Sequence, residues 1–126
     1  MNDSHKKPEV SWFGSLCDDD YEFLGVVNPE LKSSWEHCRN IVTCAEENGF
    51  DNILLPSGYK LGIDATAFAS AVSVATNRIR LLLAVRMGEL WLPQLARQMA
   101  TIDQMSGGRL TINIISSDLP GQELES

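Results

Sequence analysis

The sequence predicts an α/β fold, the (β/α)8 barrel class, of which this chain supplies about the first four strands and three helices as a partial barrel. Two observations carry that expectation. Short apolar runs rich in strand formers alternate with amphipathic or small-residue helical segments along the whole chain. The run from Asn77 to Asp118 reads as strand, loop, helix, turn and strand with no residue left over, which is a parallel crossover. Ligands of such units sit at the carboxyl ends of the strands, so chemistry is expected on the loops that open at Arg86 and Ser116.

Residues 1–8 are polar and are expected to form a disordered tail, with 9–126 forming the amino-terminal half of the barrel domain. Val10 to Leu16 is short, apolar and strand-like. Cys17 to Lys32 carries turn formers at Asp18, Asp19, Asp20, Gly25, Asn28 and Pro29 without periodicity, so it reads as a long loop after the first strand. Long loops of this kind are often functional. Ser33 to Asn48 opens with Ser33 and Glu36 at capping-box spacing, sets Trp35, Cys38, Ile41, Val42 and Ala45 on one face, and stops at Gly49.

Asn52 to Pro56 is too apolar to alternate, as expected of a strand in a parallel sheet covered by helices. Asp64 is placed to cap a helix over Ala65 to Ala75, whose small residues allow close approach to the sheet. Arg78 to Val85 is the third strand. Pro93 suits the first turn of a third helix that runs to Met105, where Gly107 and Gly108 break it. Leu110 to Ile115 is the fourth strand.

At 126 residues and 44% hydrophobic, the composition is that of one soluble globular domain. Ten basic against seventeen acidic residues give a net charge of −7 with no basic patch, which disfavours nucleic acid and anionic lipid as partners. No apolar run approaches the ~20 residues of a membrane span, and the start has no apolar region of a signal peptide; the cytoplasm is the expected compartment. Cys17, Cys38 and Cys44 have no metal-ligand spacing and are expected to be reduced thiols. The Asp18–Asp19–Asp20 run lacks the spaced acid, amide and glycine pattern of a calcium loop, so no metal is expected.

A barrel of this class needs about 250 residues to close. Four strands alone leave two unpaired edges and uncover the faces expected to point into the barrel, Leu54, Leu82, Ala84, Ile112 and Ile114 or their neighbours. Five unburied aliphatic side chains forfeit on the order of 8 to 15 kcal/mol, comparable to a domain's net stability. The chain is therefore expected to be a fragment or an obligate partner in an assembly, and by itself aggregation-prone, partly molten or oligomeric.

Three segments in order, GFDNILLPSG, LLLAVRMGELWLPQLARQMATI and DQMSGGRLTINIISSD, resemble the amino-terminal half of the bacterial luciferase-like flavin-dependent monooxygenases, in particular the alkanesulfonate monooxygenase branch. The resemblance covers roughly residues 9–124; its specific signals are Asp103, Ser106, Gly108 and Arg109, the Ala96–Arg97–Gln98 run, and Leu83 to Arg86. It implies a barrel that binds reduced FMN, supplied by a separate NAD(P)H-dependent flavin reductase, and that uses dioxygen to attack an alkanesulfonate or similar small substrate. It also implies a homo-oligomer at full length. Carried over by position, Ser57, Ala84, Val85, Asn113 and Ser116 are cofactor-binding candidates, and Ala84–Val85 matches a family non-proline cis peptide. The branch has a cysteine after the second strand where this chain has Tyr59, Lys60 and Leu61, so the substrate stays open. The family's catalytic residues and most flavin-phosphate contacts lie in the second half of its barrel, so the catalytic residues are unknown here and the chain alone is expected to be inactive.

Each candidate also has a plain structural reading. Ser57 and Ser116 are equally at home as turn hydroxyls, and Arg86, the substrate-binding candidate, as a surface arginine. His37 reads as a helix residue rather than a catalyst, and the aspartates beside Cys17 should raise its pKa and make it unreactive. Two further functional readings remain: a deazaflavin-dependent oxidoreductase on the same barrel, and a noncatalytic interaction subunit pairing through its open edges.

Overall fold

The computed structural model describes residues 6–58 and 62–116. Its elements run β1 (Ser11–Phe13), α1 (Trp35–Glu47), β2 (Asn52–Leu55), α2 (Ala65–Ala75), β3 (Arg80–Arg86), α3 (Leu92–Ser106) and β4 (Leu110–Ile115). The four strands are all parallel and lie in chain order, β1-β2-β3-β4. Most of the expected tail and the Tyr59–Leu61 segment lie outside the described residues, as does Asp118.

One core holds the fold. Strand positions Ile53, Leu55, Leu81, Leu83 and Val85 bury against Cys38, Val42 and Ala45 of α1, Phe68, Ala69 and Val72 of α2, and Met99 and Ile102 of α3. All three helices therefore cover the same face of the sheet. Sequential parallel strands with helices on one face only are the geometry of a barrel wall rather than of a doubly wound sheet.

Period-two alternation then assigns the other face. Leu54, Leu82, Ala84 and Arg86 point away from the helices, and register pairs Leu82 with Thr111, Ala84 with Asn113 and Arg86 with Ile115. For β4 this decides between the two sets that the sequence left open. Ile112 and Ile114 pair with Leu83 and Val85, so they lie on the helix side, where they are 44% and 69% exposed; Thr111, Asn113 and Ile115 are the neighbours that face inward.

Where boundaries differ from the sequence reading, a specific hydrogen bond explains the shift. β1 ends after Phe13: Gly14 N still donates to Leu54 O, but Leu16 N then folds back to donate to Gly14 O, which carries Leu16 into the core. α1 is capped by Ser34, whose hydroxyl accepts from His37 N at 3.1 Å, not by Ser33. Ser33 is engaged elsewhere: it donates to Ser15 O and exchanges bonds with Asp18, through Asp18 N to Ser33 Oγ and Ser33 N to Asp18 Oδ1. That lock closes the long loop over the end of β1, with Asp18 at φ 53.

β3 starts at Arg80 rather than Arg78 because the Glu46 carboxylate accepts from the amides of Asn77, Arg78 and Ile79, at 2.7 to 3.2 Å. Burial works against the charged carboxylate, yet the three N–H donors and the Arg109 charge hold its pKa below the ordinary 4.5. Glu46→Gln keeps one acceptor and loses the charge, so a loss of about 1–3 kcal/mol in urea unfolding at neutral pH is expected. Because the folded-state pKa is depressed, the stabilisation is fully present above the unfolded-state value and is lost as pH falls through the folded one. The gap between wild type and variant should close on acidification; a gap that is constant down to low pH contradicts the assignment.

α2 is capped by Asp64, which accepts from Ala67 N at 2.7 Å. α3 carries proline in its first turn and ends at Gly107 in the left-handed region, with Gly108 N donating to Asp103 O. Among the described residues no helix is long and apolar enough to cross a membrane.

Candidate functional site

The carboxyl ends of the strands share one rim, and the candidate residues are distributed over it unequally. Ala84 and Asn113 are register partners on the inward face, so a methyl group and a carboxamide lie side by side on adjacent strands. Ala84 is buried and Asn113 half-buried. Arg86, two residues further along β3, is on the same face, and its Nη2 donates to the backbone carbonyl of Ser57 at 3.0 Å. Ser57 follows β2 and Ser116 follows β4 directly, the latter exposed. The structure thus brings Ala84, Arg86 and Asn113 to one face of the sheet, with Ser57 and Ser116 following the strands at the same end.

Val85 differs. Its side chain is 6% exposed and belongs to the helix-side core, so only its backbone borders the inward face. The Ala84–Val85 peptide is trans, as are all peptide bonds among the described residues, which corrects the cis bond implied by resemblance. A trans bond is the lower-energy form by ~3–4 kcal/mol, and the regular parallel register with Asn113 and Ile114 accommodates it.

Two features of the rim escape sequence reasoning. Glu89 pairs with Arg86, Oε1 lying 3.3 Å from Nε, although the i,i+3 spacing that permits it is present in the chain. The second is the close passage of the β2–α2 loop over the end of β1. Ile63 N donates to Leu16 O, and a Cβ on Gly62, at φ +119, would lie 2.0 Å from that same oxygen. A Cβ on Gly58 would lie 3.0 Å from Cys17 Sγ. Nothing short of three-dimensional packing announces these approaches.

The thiol at this place is not activated. Burial pushes the Cys17 pKa up, Asp19 and Asp18 push it further, and Arg86 pulls weakly the other way. His37 Nε2 lies 2.6 Å from Asp20 Oδ2, tying α1 to the long loop, which is a structural task. Arg109 is likewise structural: it bonds carbonyls at the carboxyl ends of both α2 and α3.

Comparison with known proteins agrees with this geometry. The chain is 63% identical over 125 residues to the sulfoquinovose monooxygenase of Novosphingobium aromaticivorans, covering 94% of this chain and 34% of that protein. It is 52% identical over 118 residues to the sulfoquinovose monooxygenase of Agrobacterium fabrum, covering 94% of this chain and 31% of that protein. The chain therefore spans about a third of the length of the curated relatives it matches. Among solved structures, the EDTA monooxygenase of Chelativorans sp. BNC1 superposes with a TM-score of 0.74 at 19% identity, over 93% of this chain and 31% of that one. The coenzyme F420-dependent tetrahydromethanopterin reductase of Methanopyrus kandleri superposes with a TM-score of 0.63 at 23% identity, over 85% and 27%. Those two likenesses speak for the fold. The sequence profile of the luciferase-like monooxygenases matches residues 22–124, which together with the one-sided parallel sheet makes this chain a member of the luciferase-like monooxygenase family.

Proposed function

We infer that this chain forms the first half of the barrel wall of a reduced-flavin-dependent monooxygenase that desulfonates a small organosulfonate, with sulfoquinovose as the favoured substrate. The observation that carries the reading is the 63% identity to a sulfoquinovose monooxygenase across 94% of the chain. Identity at that level, with strand ends included, supports a shared substrate class more than likeness of fold does. It favours a sulfonated sugar over the simple alkanesulfonate expected from sequence.

The inward face suits a flavin. Ala84 offers a small, dry surface for a planar ring, Asn113 beside it offers both an amide donor and a carbonyl acceptor, and Ser116 and Ser57 supply polar groups at the rim. When bound, reduced FMN would supply the two electrons with which dioxygen is split between substrate and water, with sulfite leaving. Within this chain Arg86 is the group that would take the sulfonate, its guanidinium already oriented by the Ser57 carbonyl. No general acid or base is assigned here, because His37 is committed to Asp20. Reduced FMN would come from a separate NAD(P)H-dependent reductase, and the working form would be a homo-oligomer.

The test places this segment in a protein with the remaining βα units of the barrel and supplies FMN, a flavin reductase, NAD(P)H and sulfoquinovose. Sulfite release well above the no-protein control is expected, and none from the 126-residue chain alone. Turnover only with reduced deazaflavin, or none with any flavin, would instead support the other two readings.

A further inference from the structure

The environment of Arg86 contains an anion that belongs to the protein. We propose that Glu89 is a carboxylate latch: it occupies the Arg86 guanidinium until the sulfonate of a substrate displaces it, which makes Glu89 a positioning residue for substrate binding. The inference rests on the organosulfonate reading above.

Two of the contacts that Arg86 makes are unequal. Ser57 O is a main-chain carbonyl of the segment that follows β2, 3.0 Å from Nη2, and it cannot leave without moving the backbone there. Glu89 is a side-chain carboxylate, 3.3 Å from Nε and 45% exposed, while the Arg86 side chain is only 11% exposed. A guanidinium withdrawn from water needs an anionic partner, and of these two contacts only the exposed one is exchangeable.

The surroundings favour exchange over simple addition. Asp18 and Asp19 also bear on this corner of the rim, since both act with Arg86 on the Cys17 thiol. A second anion entering while Glu89 remained would meet excess negative charge. Glu89 sits on the turn between β3 and α3, next to Gly88 at φ +99, where a Cβ would meet no atom within 4 Å, so there is open space beside the turn. It also borders a cleft of about 530 Å³ between α2 and α3, which has room to receive the displaced carboxylate.

The experiment uses the closed-barrel protein in its flavin-free form, with methanesulfonate as probe and calorimetric titration as readout. Glu89→Gln should tighten methanesulfonate binding by about twofold to fivefold, the competing ion pair being partly exposed. The same factor should appear as a lower KM for sulfoquinovose. Arg86→Lys, which keeps charge but not the planar fork, should weaken binding. Unchanged or weaker binding in Glu89→Gln, no effect of Arg86→Lys, or no binding by the parent protein would each overturn the latch. Tighter binding in Glu89→Gln without sulfite release would leave the latch standing and remove the monooxygenase reading.

Discussion

Replacing the half-buried Arg109 by methionine should cost about 3–5 kcal/mol of unfolding free energy. Its guanidinium donates from Nε to Ser106 O at 2.6 Å, from Nη1 to Thr76 Oγ1 and Ile79 O, and from Nη2 to Ser73 O and Thr76 O. These acceptors include the last carbonyls of α2 and α3, groups that helical geometry leaves without a partner and that carry the negative end of the dipole. Its own carbonyl accepts from Leu81 N, the first rung of the β3–β4 ladder. Arg109→Lys restores the charge but cannot span five acceptors with one ammonium, so it should recover less than half of the loss. Urea unfolding of the three proteins at one pH measures both; a methionine variant within about 1 kcal/mol of the parent would show that water satisfies these carbonyls equally well.

Gly62→Ala should be comparably severe, at about 3 kcal/mol or more, and should also disturb the rim. The added carbon would lie 2.0 Å from Leu16 O and 2.8 Å from Cys17 Cα, both backbone positions, and the residue's φ of +119 is open to glycine almost alone. Relief requires the β2–α2 loop to lift from the end of β1, breaking the Ile63 N to Leu16 O bond. Because Gly58 packs against Cys17 in the same crossing, lifting the loop should expose that thiol. Faster modification of Cys17 by a thiol reagent, scored by peptide mass, is the expected signature. Gly25→Ala, also at positive φ but with no atom within 4 Å of its added carbon, separates backbone strain from steric collision and should cost about 1 kcal/mol.

The element order follows from local chemistry. Apolar runs such as Asn52–Leu55, the Asp64 cap, Pro93 and the Gly107–Gly108 stop each act over a few residues, and each reads correctly from the chain alone. The convergence of Ser57, Ala84, Arg86, Asn113 and Ser116 on one rim is legible for the same reason: parallel strands put all their carboxyl ends together. What only the tertiary structure decided are matters of register and of long-range partners. A one-residue shift in register exchanges the two faces of a strand, so the apolar pattern of β4 points Ile112 and Ile114 inward, whereas their pairing with Leu83 and Val85 places them outward. The capping-box spacing to Glu36 points to Ser33, and Ser15 and Asp18 across the loop engage it instead and leave the cap to Ser34. Likewise the Glu46 carboxylate reaches 31 to 33 residues ahead to fix where β3 begins, and Arg86 reaches back 29 residues for its Ser57 contact. Local rules act through backbone geometry along the chain, whereas these choices depend on which groups folding brings within hydrogen-bond reach.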